Sequence, residues 1–581
     1  MTHGLPPRRD IDFILFDWLR LDLRADRDNI VAFLDLSESF AAEQFLPHYK
    51  RSDAVEPKLG ADGNVRILPE FKDALREYAN LGFFSAGFPE SLGGLDLPSL
   101  ACAASLSYFF AANIATAAYP MLTGANARLI RNFGSPAQIE TFARPQVAGR
   151  WFGTMCLSEP QAGSSLADIG TRAVLDGKDA LGARYRLAGN KMWISGGDQD
   201  ASENIVHLVL AKIPGSDGRL PAGTAGISLF IVPRSLPNGT ANDVAVAGLN
   251  HKMGYRGTAN CLLNFGEGEG AVGWLVGSPG EGLRQMFQMM NEARISVGLG
   301  AAALACRSYG LASRYARERL QGRSGECREG PQVAIIEHPD IRRMLLAQKA
   351  YAEGGLALCL YCADLVDQDT DADQVALLGL LTPVAKTWSS EYGLLANDIA
   401  IQVHGGYGYT RDFDVEQLWR DNRLNPIHEG TTAVQALDLL GRKILRDGDG
   451  MNVLGRRLDN TAARAASHAR LAPLAGTLRA AWECVGRSVE MLRGFDSERQ
   501  AEHATEFLRA FGHVAVAWLW LEQALVAANL DRSDEDTAVF VDGKLWTCRY
   551  FFERELPKLE GWLSSLALPA GLASRCPSAL L

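Results

Sequence analysis

The sequence predicts an α+β protein in which a domain of short β-strands lies between helical domains. Residues 28–150 carry apolar residues at helical spacing, as in Ile30–Leu34. From residue 151 short β-rich runs, such as Ile205–Leu210 and Ile227–Val232, alternate with turns rich in Gly, Pro and Asp. After residue 277 the apolar spacing is helical again. This order favours separate helical and β domains in one chain.

The 581 residues are enough for several hydrophobic cores, and we predict four domains. These are an N-terminal helical domain at residues 1–150, a middle antiparallel β domain at 151–277, a C-terminal helical bundle at 278–447 and an additional helical domain at 448–581. The β domain has the pattern of a small barrel or sandwich.

The additional domain begins with an arginine-rich stretch, Gly455–Arg499. A net charge of −10 argues against a polyanion-binding surface over the whole molecule. We expect most of these arginines to form a solvated or interface face, with a polyanion site as the alternative. No nucleic-acid partner is expected.

An uncharged stretch, residues 97–127, is long enough to span a bilayer. Polar residues interrupt it and Pro120 breaks it, so we expect a buried pair of helices and no membrane insertion. Met1–Asp10 lacks the apolar core of a secretory signal, which favours a cytoplasmic location. The cysteines lack metal-ligand clustering, and Cys359 and Cys362 are interpreted as buried helix thiols rather than metal ligands.

Two motifs near residue 400 predict a site for an anion and for proton abstraction. Ile401–Tyr409 is rich in glycine, which lets backbone N–H groups approach an anion closely. Asn425–Thr432 places a carboxylate, Glu429, beside a glycine and two hydroxyls, and a loop carboxylate suits proton abstraction from carbon. Met155–Ser164 and Lys191–Ser195 lie upstream. In this order, the four motifs resemble those of the acyl-CoA dehydrogenase family, flavoenzymes that desaturate acyl-CoA thioesters and share the predicted domain order.

The resemblance implies that Glu429 is the catalytic base. In the family the backbone N–H of this glutamate helps to polarise the thioester carbonyl, and Gly430 would leave room for the thioester. The alternative is a surface glutamate that caps a helix starting near Thr431. Some relatives carry the base on the long helix at the position of Ala293, which cannot serve. Its neighbour Glu292 would be rotated by about 100° and is expected to be a solvated or capping charge.

The resemblance also implies an FAD cofactor. It assigns the backbone of Met155 and Leu157 and the hydroxyl of Ser158 to the pyrimidine edge of the flavin. Trp193 would stack near the ring, and Ser195 would hydrogen-bond at N5, where the hydride arrives. The alternative for Trp193 is an ordinary core aromatic.

Further residues are assigned by resemblance to the cofactor phosphates and to the substrate. Ser164 would reach the pyrophosphate or the pantetheine, and Thr431 would contact the cofactor. Asn291, Arg294 and Gly430 would contact the acyl-CoA substrate.

By resemblance, Arg294 and Arg319 match two arginines of the family, and both lie on one predicted helix, Glu292–Leu320, which argues for an oligomer. Twenty-five residues of helix span about 37 Å, so Arg294 and Arg319 cannot serve one active site from one chain. Arg294 would lie near Glu429, whereas Arg319 would reach the flavin pyrophosphate or adenine of a neighbouring subunit. The resemblance gives the same role across a homodimer, or a dimer of dimers, to three residues of the glycine-rich motif: Gln402, Gly405 and Gly406.

Two departures from the family pattern affect the predicted cofactor contacts. Leu320–Arg323 differs where relatives often have Phe-Gly, and Ala433 stands where relatives often have a glutamine near the flavin. No Gly-x-Gly-x-x-Gly follows a predicted strand, so a nicotinamide site is not supported. The electrons are expected to leave to an electron-transfer flavoprotein, or to oxygen if the protein is an acyl-CoA oxidase.

The substrate remains open between several acyl groups. Pro7–Asp17, Tyr315–Arg323 and the C-terminal extension resemble the 3-methylmercaptopropionyl-CoA dehydrogenase branch, which implies oxidation of 3-methylthiopropionyl-CoA. The alternative substrates are ordinary short- or medium-chain acyl-CoAs. The alternative function is that of a weakly catalytic flavin-containing protein that binds a polyanion.

Overall fold

The computed structural model describes residues 4–323, 329–368, 371–568 and 571–581. Within the described residues the chain divides into two compact units. The barrel unit comprises Leu36–Pro98 and Ala112–Ala293, and the helical unit comprises the remaining described residues up to Leu581. Three of the four unit boundaries fall inside helices, and the limits of the four predicted domains remain a prediction. Met1–His3, the first residues of the segment predicted not to be a secretory signal, lie outside the described residues.

The barrel unit contains an eight-stranded sheet and a short two-stranded hairpin that precedes it in the chain. The hairpin strands are β1 (Lys58–Leu59) and β2 (Val65–Arg66). The strands of the sheet are β3 (Trp151–Cys156), β4 (Arg172–Asp179), β5 (Gly182–Ser195), β6 (Asn204–Lys212), β7 (Ile227–Pro233), β8 (Val244–Leu249), β9 (Asn260–Phe265) and β10 (Ala271–Leu275). Pairing runs β10-β7-β6-β4-β5 and returns from β5 to β10, so these five strands close into a ring. Of the two predicted alternatives, a small barrel or a sandwich, the structure has the barrel.

One prediction for the sheet was wrong in part, because it is not purely antiparallel. β3 pairs with β6 in parallel over its whole length, from Trp151 against Asn204 to Cys156 against Val209. Parallel neighbours need a long connection, and residues 157–203, which carry β4 and β5, supply it. β6 and β7 are buried along their entire lengths, which explains their nearly continuous apolar sequence.

The other regular elements of both units are helices. They are α1 (Arg8–Asp12), α2 (Arg27–Phe40), α3 (Tyr49–Ala54), α4 (Pro69–Asn80), α5 (Ser99–Phe133), α6 (Pro136–Gln138), α7 (Arg144–Val147), α8 (Gly282–Glu318), α9 (Pro339–Val366), α10 (Ala372–His404), α11 (Val415–Asn422), α12 (Thr432–Leu437), α13 (Asp449–Ala466), α14 (Ala472–Arg493), α15 (Ser497–Ala527), α16 (Glu535–Tyr550) and α17 (Lys558–Ser564). The mixture of mainly helical segments and one β-barrel confirms the predicted α+β class.

The uncharged stretch forms two helices that meet at Asn113 rather than at Pro120. Asn113 has φ −159° and ψ 95°, whereas Pro120 lies inside the second helix. The Asn113 side-chain oxygen accepts a hydrogen bond from the Thr116 backbone N–H at 3.3 Å, as an N-cap does, and so begins a new helix there. The predicted position of the break was wrong, but the buried pair of helices is confirmed, since 83% of the most apolar window is buried inside the protein.

By length and composition alone, three described helices could cross a membrane: α5, α8 and α15. In α8 and α15, 78% and 89% of the apolar window are buried within the protein. Cys359 and Cys362 are fully buried in α9, as predicted. Glu292 is not a solvated or capping charge, because its Oε2 accepts a hydrogen bond from Arg128 Nε at 2.7 Å.

Candidate active site

Glu429 lies in a turn of unusual backbone geometry just before α12. Its φ is +53°, and that of Gly430 is +90°, so two successive residues are left-handed. For a residue with a side chain this conformation costs about 1–2 kcal/mol and persists only where neighbours hold it. A Cβ on Gly430 would lie 2.6 Å from Gln435 Nε2, which explains why a glycine follows the glutamate.

Side chains on two helices hold the carbonyl groups of this turn. Gln435 Nε2 donates to the Glu429 carbonyl at 2.9 Å, and Lys386 Nζ donates to the Gly430 carbonyl at 2.7 Å. Thr432 Oγ1 donates to Glu391 Oε1 at 2.7 Å and so ties the start of α12 to α10. The turn is therefore rigidly specified by its surroundings.

Two cations act on the Glu429 carboxyl group. Burial raises the pKa of Glu429 above the ordinary glutamate value, while Arg294 and Lys386 oppose the rise. Arg294 is itself buried and its guanidinium donates to Asp438 Oδ2 at 2.9 Å. A carboxylate with a raised pKa is a stronger base than a surface glutamate.

A second group of predicted residues lies in the barrel unit, on the connection that leaves β3. Met155 ends up mostly buried, and Leu157 and Ser158 are partly exposed. The Leu157 carbonyl accepts a hydrogen bond from Lys191 Nζ at 3.0 Å, and the Ser158 carbonyl accepts one from the Met192 N–H at 3.0 Å. The connection is thus held against β5, where the other predicted flavin residues lie.

A buried ion pair supports this connection. Lys191 Nζ lies 2.9 Å from Glu159 Oε1, and both side chains are almost completely buried. Burial acts to raise the pKa of Glu159, but Lys191, the Thr171 hydroxyl and the Gly170 N–H outweigh it, so that this pKa is lowered. Burial also lowers the pKa of Lys191, against the attraction of Glu159.

Trp193 is not a core aromatic, because 58% of it is exposed. Its φ is +67°, and the pairing of β5 with β9 shifts register between Lys191 and Ile194. A bulge of this kind redirects a side chain, and a bulky residue with positive φ is uncommon enough to suggest function. Ser195, two residues on, is partly exposed, and its Oγ accepts a hydrogen bond from Asn260 Nδ2 at 3.2 Å. An exposed indole that follows Met192, whose N–H donates to the Ser158 carbonyl, and lies two residues before Ser195 fits a planar flavin ring.

Arg319 and the glycine-rich turn come together on the surface of the helical unit. Arg319 follows the last residue of α8, so the predicted helix ended two residues too late. Its guanidinium lies 5.6 Å from the centre of the Tyr407 ring, within the turn Gly405–Tyr409. Gln402, Gly405 and Gly406 are exposed, and a Cβ on either glycine would meet nothing within 4 Å. An exposed cation beside open backbone fits a phosphate or adenine group.

The remaining predicted residues are less diagnostic. Ser164 is exposed on the connection after β3, whereas Asn291, in α8, and Thr431, which precedes α12, are partly exposed. Thr431 makes no side-chain capping hydrogen bond.

The arginine-rich stretch lines a pocket of about 420 Å³ in the helical unit, together with Trp18, Tyr361 and Trp518. Arg456 contacts Asp373, and Arg464 contacts Glu522. These carboxylates neutralise much of the positive charge, which weakens the polyanion alternative.

Sequence reasoning missed four site residues that the structure brings into contact with the predicted ones. They are Lys386, Gln435 and the Lys191–Glu159 pair. Lys191 and Glu159 lie inside two of the recognised motifs, which was a usable signal. Lys386 directly follows a mainly apolar stretch, residues 375–385, and a buried lysine at such a position needs a partner.

Comparison with known proteins agrees with these features. Family models match in succession: acyl-CoA dehydrogenase N-terminal domain at residues 28–150, middle domain at 154–267 and C-terminal domain at 280–445. Residues 454–573 match a model described as acetyl-CoA dehydrogenase C-terminal like. The chain belongs to the acyl-CoA dehydrogenase family, whose members are flavin-dependent oxidoreductases that act on acyl-CoA.

Similar proteins extend over almost the whole chain. The 3-methylmercaptopropionyl-CoA dehydrogenase of Ruegeria pomeroyi is 33% identical, with 96% of each chain covered. The broad-specificity linear acyl-CoA dehydrogenase FadE5 of Mycobacterium tuberculosis is also 33% identical, again with 96% of each chain covered. An acyl-CoA dehydrogenase from Bacillus anthracis, solved in complex with FAD, shares the fold with a TM-score of 0.75 and 21% identity, covering 94% of this chain and 89% of that one.

Proposed function

We propose that the protein catalyses FAD-dependent α,β-desaturation of an acyl-CoA thioester, with Glu429 as the base. The observation that carries this proposal is the Glu429 turn. Side chains on two helices hold the backbone carbonyls of this turn, and its carboxyl group has a raised pKa and is acted on by two cations. A surface carboxylate that capped a helix would need none of this support.

In the proposed reaction the Glu429 carboxylate takes the proton from the carbon next to the thioester carbonyl. Two electrons leave with a hydride from the next carbon, and a double bond forms between the two carbons. FAD, when bound, supplies the hydride acceptor. The backbone N–H of Glu429 would donate to the thioester oxygen and stabilise the charge that develops there.

FAD binding is supported by three groups of described residues. The backbone of Met155 and Leu157 with the Ser158 hydroxyl would hold the pyrimidine edge of the ring. Trp193 and Ser195 would lie along the ring. We assign the dinucleotide end to Arg319, Gln402, Gly405 and Gly406 of a partner subunit, with Ser164 and Thr431 as further contacts.

The substrate that we propose is 3-methylthiopropionyl-CoA, which would give methylthioacryloyl-CoA. This rests on similarity to a relative that bears the corresponding name. A relative of equal identity is named for broad specificity toward linear acyl-CoAs, and that observation favours ordinary short- or medium-chain substrates as the second candidate. Asn291, Arg294 and Gly430 would contact the thioester in either case.

Assembly and electron transfer are parts of the same proposal. A homodimer, or a dimer of dimers, is supported by the exposure of Arg319, Gln402 and the glycine-rich turn. On the surface of one subunit these residues form only part of an FAD site, and a second copy of the chain would supply the rest. An electron-transfer flavoprotein in the cytoplasm is the electron acceptor that we propose. Oxygen consumption during turnover would indicate an acyl-CoA oxidase instead.

The test is the visible spectrum of the purified protein under anaerobic conditions. Addition of 3-methylthiopropionyl-CoA should bleach the flavin band, and butyryl-CoA in a parallel sample measures the competing substrate class. A yellow protein that neither thioester bleaches would contradict desaturation of both substrate classes. A colourless protein that takes up no added FAD would contradict the cofactor assignment.

A further inference from the structure

Lys386 is placed where it can act on both the backbone and the charge of the Glu429 turn. It lies in α10, is fully buried, and its Nζ lies 2.7 Å from the Gly430 carbonyl oxygen. The preceding carbonyl, that of Glu429, is held by the uncharged donor Gln435, which is also fully buried. Two successive peptide groups in a left-handed turn therefore have one neutral and one cationic donor.

We propose that Lys386 is a positioning residue for the base, which clamps the Gly430 carbonyl so that the Glu429 carboxylate is correctly aimed and keeps that carboxylate ionised by its charge. This inference rests on the proposed function. Gln435 contributes to the backbone clamp alone. Variants of Lys386 and Gln435 can therefore separate the effect of geometry from the effect of charge.

A purely structural role does not explain a lysine at this position. The neighbouring α10 residues Val384, Ala385 and Trp388 are buried and apolar, so an apolar residue would pack there without the cost of burying an ammonium group. A neutral donor such as Gln435 would suffice for the carbonyl alone. The charge itself is therefore what the site uses.

The charged groups that act on Lys386 make its protonation sensitive to pH. Burial lowers the pKa of Lys386 to about 8, with Arg294 acting in the same direction, while Glu429 and Glu391 oppose the decrease. Below this pH the ammonium favours the ionised form of Glu429. As pH rises through about 8 the charge is lost, and with it the stabilisation of developing negative charge near the base.

The test compares Lys386→Met, Lys386→Arg and Lys443→Met with the wild-type holoenzyme. Lys443 is the matched control: it is a half-buried lysine of the same unit whose pKa burial also lowers, but it does not act on Glu429. Each variant is reduced anaerobically by the acyl-CoA that bleaches the wild-type flavin. The limiting rate of flavin reduction, the apparent substrate affinity and the pH dependence of the rate are measured, together with flavin content.

Lys386→Met should lower the limiting rate about 100-fold, as expected for a misplaced base, with less than a few-fold change in substrate affinity. The acid limb of its pH–rate profile, where the rate rises as Glu429 becomes ionised, should move to higher pH, because a cation that opposes protonation of Glu429 is gone. The alkaline limb of the profile, near pH 8, should disappear. Lys386→Arg should recover most of the rate and move the alkaline limb out of the measurable range. Lys443→Met should resemble the wild type.

If Lys386→Met does not fold, Lys386→Gln and Gln435→Met replace it. Lys386→Gln retains a donor without charge and should shift the acid limb upward, whereas Gln435→Met should lower the rate and leave the limb in place. Wild-type rates and pH profiles in folded Lys386 variants would overturn this inference alone. A wild-type protein that no acyl-CoA reduces would instead overturn the proposed function.

Discussion

Gly298 and Ala385 lie so close that a Cβ on Gly298 would be 2.4 Å from the Ala385 carbonyl oxygen. A second close contact occurs three residues further along α8 and eight residues further along α10, where a Cβ on Gly393 would be 2.8 Å from the Ala301 carbonyl oxygen. The backbones of α8 and α10 therefore pass each other with no side chain between them. Lys386 follows Ala385 in α10, and Arg294 lies about one turn before Gly298 in α8, so this close approach brings the two cations into the same region.

Gly298→Ala should consequently damage both stability and activity. The added methyl group meets backbone rather than a movable side chain, so α8 and α10 must separate, at a cost of about 1–3 kcal/mol. Hydrogen exchange in peptides from α8 and α10 would report this cost, and flavin reduction should slow. The control is Gly476→Ala, where a Cβ meets nothing within 4 Å and a gain of about 0.5–1 kcal/mol is expected. Equal effects from both variants would contradict the close-approach argument.

Glu429→Gln should lower turnover while leaving folding and flavin content intact. Glutamine preserves the shape of the side chain but cannot accept the proton, and loss of a general base costs about 10²–10⁴-fold in rate. The measurement is the anaerobic rate of flavin reduction by the thioester, with flavin content determined from the spectrum. Near-normal reduction would remove Glu429 as the base.

Arg294→Gln should move the acid limb of the reduction rate to higher pH. Only the ionised form of Glu429 accepts a proton, so the rate rises as pH passes upward through the Glu429 pKa. Burial raises that pKa. Arg294 opposes the rise more strongly than Lys386 does, so removal of Arg294 raises the pKa further. A pH profile measured with substrate at saturation would test this. A limb that stayed in place, or moved to lower pH, would show that Arg294 does not govern the ionisation of Glu429.

The sequence was sufficient for the parts of the site that lie in contiguous motifs. Glu429, Ser158 and the glycine-rich turn could be proposed because they lie in contiguous motifs that resemble those of the family, and the helix–strand–helix order followed from apolar spacing. Lys386 could not be recognised in this way, since a lone lysine in a helix does not reveal which carbonyl it will meet 44 residues later.

Other features depend on tertiary contacts that local patterns do not carry. The break in the uncharged stretch lies at Asn113, whose side chain contacts Ser52 and caps the next helix, rather than at the proline that pattern alone favours. The parallel pairing of β3 with β6 joins segments about 50 residues apart. For Trp193 the sequence allowed a core or a site residue, and only its exposure and left-handed backbone decide between them.

Lys191→Met should destabilise the barrel unit around β3 and β5. It leaves the Glu159 carboxylate buried without its cation, which costs about 3–5 kcal/mol, whereas the double variant Lys191→Met, Glu159→Met removes both charges and should be much closer to the wild type. Hydrogen exchange in peptides from residues 151–195 gives the local free energy of opening for both variants. A double variant as unstable as the single one would show that packing, and not the unpaired charge, is responsible.

Arg319→Ala should weaken flavin retention and association of subunits while sparing the fold of the single chain. Arg319 is exposed, lies beside Tyr407, and has no predicted role in proton abstraction by Glu429, so its loss should affect cofactor binding before chemistry. Flavin content after gel filtration and the sedimentation coefficient measure the two effects. The control is Arg317→Ala, two residues earlier, whose guanidinium donates to the Ser313 carbonyl of its own helix at 2.9 Å and should have little influence on either. An Arg319→Ala protein that keeps its full flavin and its oligomeric state would contradict the cross-subunit assignment.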